Sequence, residues 1–131
     1  MKKILIGTHN KGKFREISYL LSKKTKKISP EKLNIKSPRE TGRSFSANSK
    51  LKANYFSKFT NLAVISDDSG LCINALKGQP GIYSARWAKK YGSFRNAMLA
   101  ILKKMKNKKN RTAFFICSLS IKLKNKKIIT V

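Results

Sequence analysis

The chain has 131 residues, 31 of them Lys or Arg against five Asp or Glu, for a formal net charge of +26, and 40% of it is apolar. That size and apolar share suit one ordinary domain and argue against two domains or a repeat array. No stretch approaches the roughly 18 to 20 continuous apolar residues of a membrane span, and the amino terminus lacks the apolar run and cleavage site of a secretion signal, so a cytoplasmic protein without a membrane partner is expected.

In chain order, Ile4, Leu5 and Ile6 with Gly7 behind them read as a buried first strand. Asn10 is placed to cap a helix whose apolar face is Phe14, Ile17, Leu20 and Leu21. The Lys-rich segment 23–40, interrupted by Pro30 and Pro38, reads as a loop around one short strand near 32–35. Ser44 is a second cap, ahead of a long helix carrying Phe45, Leu51, Tyr55, Phe56 and Phe59. Residues 61–66 form a buried-strand pattern that runs into Asp67-Asp68-Ser69-Gly70; 71–76 resume as a strand and 77–81 break it as a turn. Phe94, Ala97, Met98, Ile101, Leu102 and Met105 make the clearest helical stripe. Beyond it, 112–121 alternates as a strand, 122–127 is a charged turn, and 128–131 starts a partner strand. The chain stops partway through that second arm, so the expectation is a single domain over 1–131, incomplete at its C-terminal end. Cys72 and Cys117, isolated in strand-like runs without metal-ligand spacing, are expected to be buried, reduced thiols.

The charge invites a polyanionic partner. However, 25 Lys, 13 Ile and 10 Asn fill 48 of the 131 positions, as AT-rich codons would dictate. Nor are the lysines interleaved with aromatic residues as a base-stacking platform requires. Nucleic acid is therefore not the expected partner.

Three places can carry chemistry. In Thr8-His9-Asn10-Lys11-Gly12-Lys13, lysines at a helix start oppose the macrodipole, and a bound anion would remove the conflict. The bland reading is coincidence in a chain one-quarter basic. Asp67-Asp68 places two of only five acids together at the end of an apolar strand, where α/β sheets put ligand-binding groups. Adjacent carboxylates repel unless a cation lies near them, and oxygen-only ligation beside a phosphate suggests magnesium; the alternative is a capping turn before Gly70. Glu40 is either a solvated side chain or a further oxygen ligand for the same ion. His9 is the only histidine, which disfavours a nucleophilic triad and leaves metal-assisted hydrolysis of a phosphate ester or anhydride, with an Asp as base toward water.

Thr8 to Lys13, then Glu40-Thr41-Gly42 with Ser44-Phe45, Asn48 and Lys52-Ala53, then Asp67 to Leu71 and Ala75 to Arg86, resemble in order and spacing the RdgB-like inosine triphosphate pyrophosphatase family. The resemblance implies an α/β fold with a mixed central sheet flanked by helices, its C-terminal part missing here, and a homodimer in the complete protein. It also implies magnesium-dependent hydrolysis of ITP, dITP and XTP to the monophosphate and pyrophosphate. Carried over by position, Thr8, His9, Asn10, Lys11, Gly12 and Lys13 contact the phosphates, Lys52 faces the triphosphate and Ser69 touches the substrate. Glu40 and Asp68 hold Mg2+, Asp68 is the base, and Asp67 is a supporting acid. Two departures stand out. Ala47 replaces a Glu that most members carry, removing whatever support it gives the metal, and the Phe-Gly-Tyr-Asp and Ser-His-Arg segments that shape the purine pocket are missing. An inactive fragment of such an enzyme and a basic nucleic-acid-binding module are the competing readings.

Overall fold

The computed structural model describes residues 2–131. Strand β1 (Lys3–Ile6) pairs in parallel with β2 (Lys26–Ile28) on one side and with β3 (Ala63–Ile73) on the other. Parallel neighbours need crossovers. Helix α1 (Lys11–Leu20) lies on the first, and α2 (Phe45–Ser57) lies between β2 and β3. The sheet order is β2-β1-β3-β4-β5, with β4 (Ala113–Lys122) and β5 (Ile129–Thr130) an antiparallel pair, so the sheet is mixed and the fold α/β as expected.

The chain makes two compact units. One runs to Asp68 and resumes from Ser118 to Val131; the other is Ser69–Cys117. Strands β3 and β4 each pass from one unit to the other.

In the first unit, strand alternation sends neighbouring residues to opposite faces of the sheet. Leu5 and Val64 pack with Ile28, Ile35 and the α2 residue Phe56, whereas Ile6 and Ile65 pack with Ile17 of α1. Burying Phe56 and Leu5 completely stabilises the unit by about 1.5–3 kcal/mol each. Gly7 ends β1 where α2 comes closest: a Cβ there would collide with Ser66 Oγ and the Phe56 ring. The Ser66 hydroxyl instead donates to the Gly7 carbonyl at 3.0 Å. Further along α2, Ser49 Oγ donates to the Ser46 carbonyl at 3.1 Å and lies 3.0 Å from Ser118 Oγ and 2.7 Å from Ser120 Oγ. Ser120 Oγ is in turn 2.8 Å from Thr130 Oγ1, so a buried file of hydroxyls joins α2 to the β4–β5 hairpin.

The second unit holds α3 (Ser84–Tyr91) and α4 (Phe94–Met105). Ser84 Oγ accepts from the Leu71 amide at 3.0 Å and donates to the Gly81 carbonyl at 2.7 Å, fixing the entry to α3. Gly92, at φ +93°, ends α3, and Ser93 caps α4 through the Asn96 amide at 3.0 Å.

Several expectations change. The strand expected near 32–35 is β2, further back, where Ile28 is buried; Pro30–Leu33 is a 3₁₀ turn, begun by proline's fixed φ and ended by Asn34 at φ 55°. The caps at Asn10 and Ser44 are as expected, accepting from the Lys13 amide at 3.1 Å and the Ala47 amide at 3.0 Å. Leu20 and Phe59 are exposed, Phe59 because α2 ends at Ser57. Asp67 and Asp68 do not end a strand: β3 is continuous through them, so they lie within it. Helix α3 has no sequence signal of its own, being eight residues long without a side-chain N-cap. Of the α4 stripe, only Ala97 and Met105 are buried, whereas Phe94, Met98 and Leu102 are exposed. Cys72 is buried as expected, but Cys117 is exposed. No helix among the described residues is long and apolar enough to cross a membrane.

Candidate active site

The paired aspartates are separated by the geometry of the strand that carries them. Successive β residues face opposite sides of a sheet, so Asp67 joins Ile65 on the α1 side and Asp68 joins Ser66 on the α2 side. Lys13 of α1 reaches Asp67, Nζ to Oδ2 at 3.1 Å. Asp68 meets residues of α2 and of the loop before it: Asn48, Lys52 and Glu40 all act on its charge. The expectation that the adjacent carboxylates repel each other is therefore replaced. The like charge facing Asp68 is Glu40, twenty-eight positions away.

Glu40 reaches this face because of the loop that follows it. Gly42 donates its amide to Asn48 Oδ1 at 2.8 Å, and a Cβ on Gly42 would stand 2.6 Å from that same oxygen. Only glycine lets the loop close so tightly on α2. Lys52, almost fully buried, then lies 3.7 Å from Glu40, Nζ to Oε1. Burial pushes the Asp68 carboxyl up to about 6, the Glu40 charge adds to the push, and Asn48, Lys52 and Lys13 pull the other way. The Asn48 amide is close enough to act on Asp68, yet its Nδ2 and Asp68 Oδ2 are both buried without a well-formed hydrogen bond.

These residues fit a hard divalent cation. Two carboxylates from different segments converge, one presents a buried, unsatisfied oxygen, and no softer ligand intervenes. No three His, Cys, Asp or Glu side chains among the described residues gather into a complete metal cage. Magnesium characteristically needs only one or two carboxylates, with water and phosphate oxygens completing its shell.

The loop between β1 and α1 opens onto a cleft of about 730 Å³. Thr8, His9, Asn10 and Lys11 line it, as do Phe14 and Arg15 of α1 and Lys27, Ser29, Glu31 and Lys32 from β2 and the 3₁₀ turn. Part of the loop's hydrogen bonding is internal: Thr8 Oγ1 accepts from the Asn10 amide at 3.1 Å, and Asn10 Oδ1 from Lys13. The amides of Lys11 and Gly12, in the first turn, have no partner inside the helix. His9 Nδ1 lies 3.2 Å from Glu31 Oε1. The Glu31 carboxyl sits below its ordinary value, first through its own backbone amide, then through Ser29 and His9.

The residues expected from sequence thus fall into two groups. Thr8 to Lys11 line the cleft; Glu40, Lys52 and Asp68 form a charged cluster on the α2 side. Gly12 lies in the first turn of α1, and Lys13 is committed to Asp67. Ser69, next along β3, is the first residue of the second unit. Sequence reasoning gave no role to Arg15, Lys27, Ser29, Glu31 or Lys32; Glu31, one of only five acids, was the findable one. It quoted Asn48 without a role.

A mixed sheet flanked by helices, with a cation-lined strand–loop–helix cleft and two converging carboxylates, defines a protein of the α/β class. The family comparison is specific: residues 4–131 match the Ham1 family, and the chain belongs to it. It is 39% identical over 123 residues to the dITP/XTP pyrophosphatase of Zymomonas mobilis, covering 91% of this chain and 59% of the relative. To that of Rhodopseudomonas palustris it is 41% identical over 125 residues, covering 91% and 60%. The Ham1 protein of Staphylococcus aureus superposes with a TM-score of 0.85 at 34% identity, covering 98% of this chain and 67% of that one. A HAM1 protein from Coxiella burnetii superposes with a TM-score of 0.87 at 28% identity, covering 99% and 68%. The chain spans about three fifths of the length of the curated relatives it matches.

Proposed function

We propose that this chain carries the phosphate- and metal-binding part of a nucleoside triphosphate pyrophosphatase that converts ITP, dITP or XTP to the monophosphate and pyrophosphate. The observation that carries the reading is the charged cluster on the α2 side, where Glu40 and Asp68 face each other with Lys52 beside Glu40. Asp68 is buried with a second carboxylate facing it, which costs stability, and a divalent cation bound with a polyphosphate turns that cost into affinity. The dITP/XTP pyrophosphatases to which the chain is 39–41% identical support the substrate class.

Within this reading Glu40 and Asp68 hold Mg2+, which when bound neutralises phosphate charge and polarises the scissile anhydride. Lys52 sets the cluster's positive side against the triphosphate, and the loop Thr8–Lys13 orients the phosphates through backbone amides and Lys11. Asp68 takes the proton of the attacking water as the anhydride between the α and β phosphorus atoms breaks, and pyrophosphate leaves. We place the protein in the cytoplasm, acting on the free nucleotide pool, as a homodimer in its complete form.

The test is pyrophosphate release from dITP with and without magnesium, for this chain and for one extended to the full length of its relatives. Release that needs magnesium and falls at least about a hundredfold in Asp68→Asn supports the reading. Release by neither chain overturns it.

A further inference from the structure

The cleft beside the phosphate loop gathers cations from two directions. Lys11 and Arg15 come from the first turns of α1, and Lys27 and Lys32 from β2 and the 3₁₀ turn. Among the described residues none of the four makes an ion pair, whereas Lys13 and Lys52 are held by Asp67 and Glu40. Lys27 Nζ donates to the Ser22 carbonyl at 2.7 Å, which fixes its position without neutralising it. Like charges around one cavity repel, and an anionic occupant relieves the repulsion. The cleft's single acid, Glu31, already sits on His9.

We propose that Arg15, Lys27 and Lys32 form a second cationic wall that takes the terminal phosphates of a polyphosphate ligand, with the Glu31 carboxylate competing with that ligand for His9. The ligand's identity rests on the pyrophosphatase reading; the wall rests on the cavity and its charges. An open cleft of about 730 Å³ with its cations on facing segments suits a short polyphosphate, whereas a nucleic-acid backbone calls for an extended basic stripe.

Inorganic pyrophosphate is the probe, titrated calorimetrically at physiological salt. The double variant Lys27→Gln/Lys32→Gln is expected to bind it about five- to tenfold more weakly, as two partly exposed ion pairs would be lost. Glu31→Gln removes the competitor and is expected to tighten binding about twofold to fivefold. Lys58→Gln/Lys124→Gln changes net charge equally at exposed positions elsewhere and is expected to leave the affinity unchanged. His9 is the only histidine, so the chain gives one histidine Hε1 NMR signal, which pyrophosphate should shift in the unaltered chain. Equal losses in the two double variants, weaker binding by Glu31→Gln, or an unmoved His9 signal at saturation overturns the wall. Because binding is read without turnover, a chain extended to full length that binds pyrophosphate in this way but does not hydrolyse dITP would overturn the pyrophosphatase reading alone. Hydrolysis whose KM the Lys27→Gln/Lys32→Gln change leaves untouched, together with unchanged pyrophosphate affinity, overturns the wall alone.

Discussion

The unit that runs to Asp68 and resumes at Ser118 contains all five acids of the chain; the unit Ser69–Cys117 contains eleven Lys and Arg and none. In the first, acids are placed: Glu31 meets His9, Asp67 meets Lys13, and Glu40 meets both Lys52 and Asp68. In the second, cations have no carboxylate of their own unit to meet, and several lie over aromatic rings instead. Arg86 stands 5.0 Å from the Tyr83 ring centre, Lys90 5.5 Å from that of Tyr91, and Lys104 5.8 Å from that of Trp87. Such contacts contribute about 0.5–1 kcal/mol each at exposed sites. In a protein this basic, the few acids single out particular partners where the many lysines do not.

That contrast can be broken most directly at Asp68. Asp68→Asn is expected to cut pyrophosphate release from dITP by about 10²- to 10⁴-fold, while in metal-free buffer near pH 7.5 it raises unfolding stability by about 1–2 kcal/mol. The gain has a pH signature. Folding raises this carboxyl from 3.8 to about 6, so its ionisation penalises the folded state fully above about 6 and not at all below 3.8. The difference between variant and unaltered chain, followed by urea unfolding, should shrink to nothing across that window; a difference independent of pH would remove the buried charge as its cause.

In the packing beneath the site the expected effect falls on stability and not on turnover. Gly7→Ala sets a methyl against Ser66 and Phe56 and is expected to cost about 3 kcal/mol by urea unfolding, the upper range for overpacking with a hydrogen bond at stake. The smallest belongs to the second unit. Lys106→Gln/Lys108→Gln, at exposed positions beyond α4, should change stability by no more than about 0.5 kcal/mol and leave pyrophosphate release unaltered. A large loss of release there would show that the acid-free unit takes part in the chemistry.

Local chemistry made much of this legible from sequence. Apolar runs marked β1 and the start of β3, and Asn10 and Ser44 marked their helices, because a cap is a short-range hydrogen bond. Strand β2 was hidden because two of its three residues are lysines, leaving Ile28 alone to mark the buried side. Asp67 and Asp68 suggested the end of a strand because polar residues commonly end strands; here each has a polar partner from a different helix, so the strand continues through them. The residues near Asp68 were visible, but their grouping was not: Glu40 and Asp68 meet only through the Gly42 loop, and Asp67 is turned away by the pleat. The wall of Lys27 and Lys32 left no mark, since two lysines among 25 carry no information until a cavity selects them.

The file of hydroxyls from Thr130 to Ser46 has a polarity that its distances alone do not reveal. A serine has one proton to give. With that of Ser49 donated to the Ser46 carbonyl, Ser118 and Ser120 must donate to Ser49, and Thr130 to Ser120. Every proton then points the same way, from the last strand toward the helix that carries Asn48 and Lys52. The file is a directed chain of donors, in which Ser49 accepts from two strand hydroxyls and passes its own proton to the helix backbone.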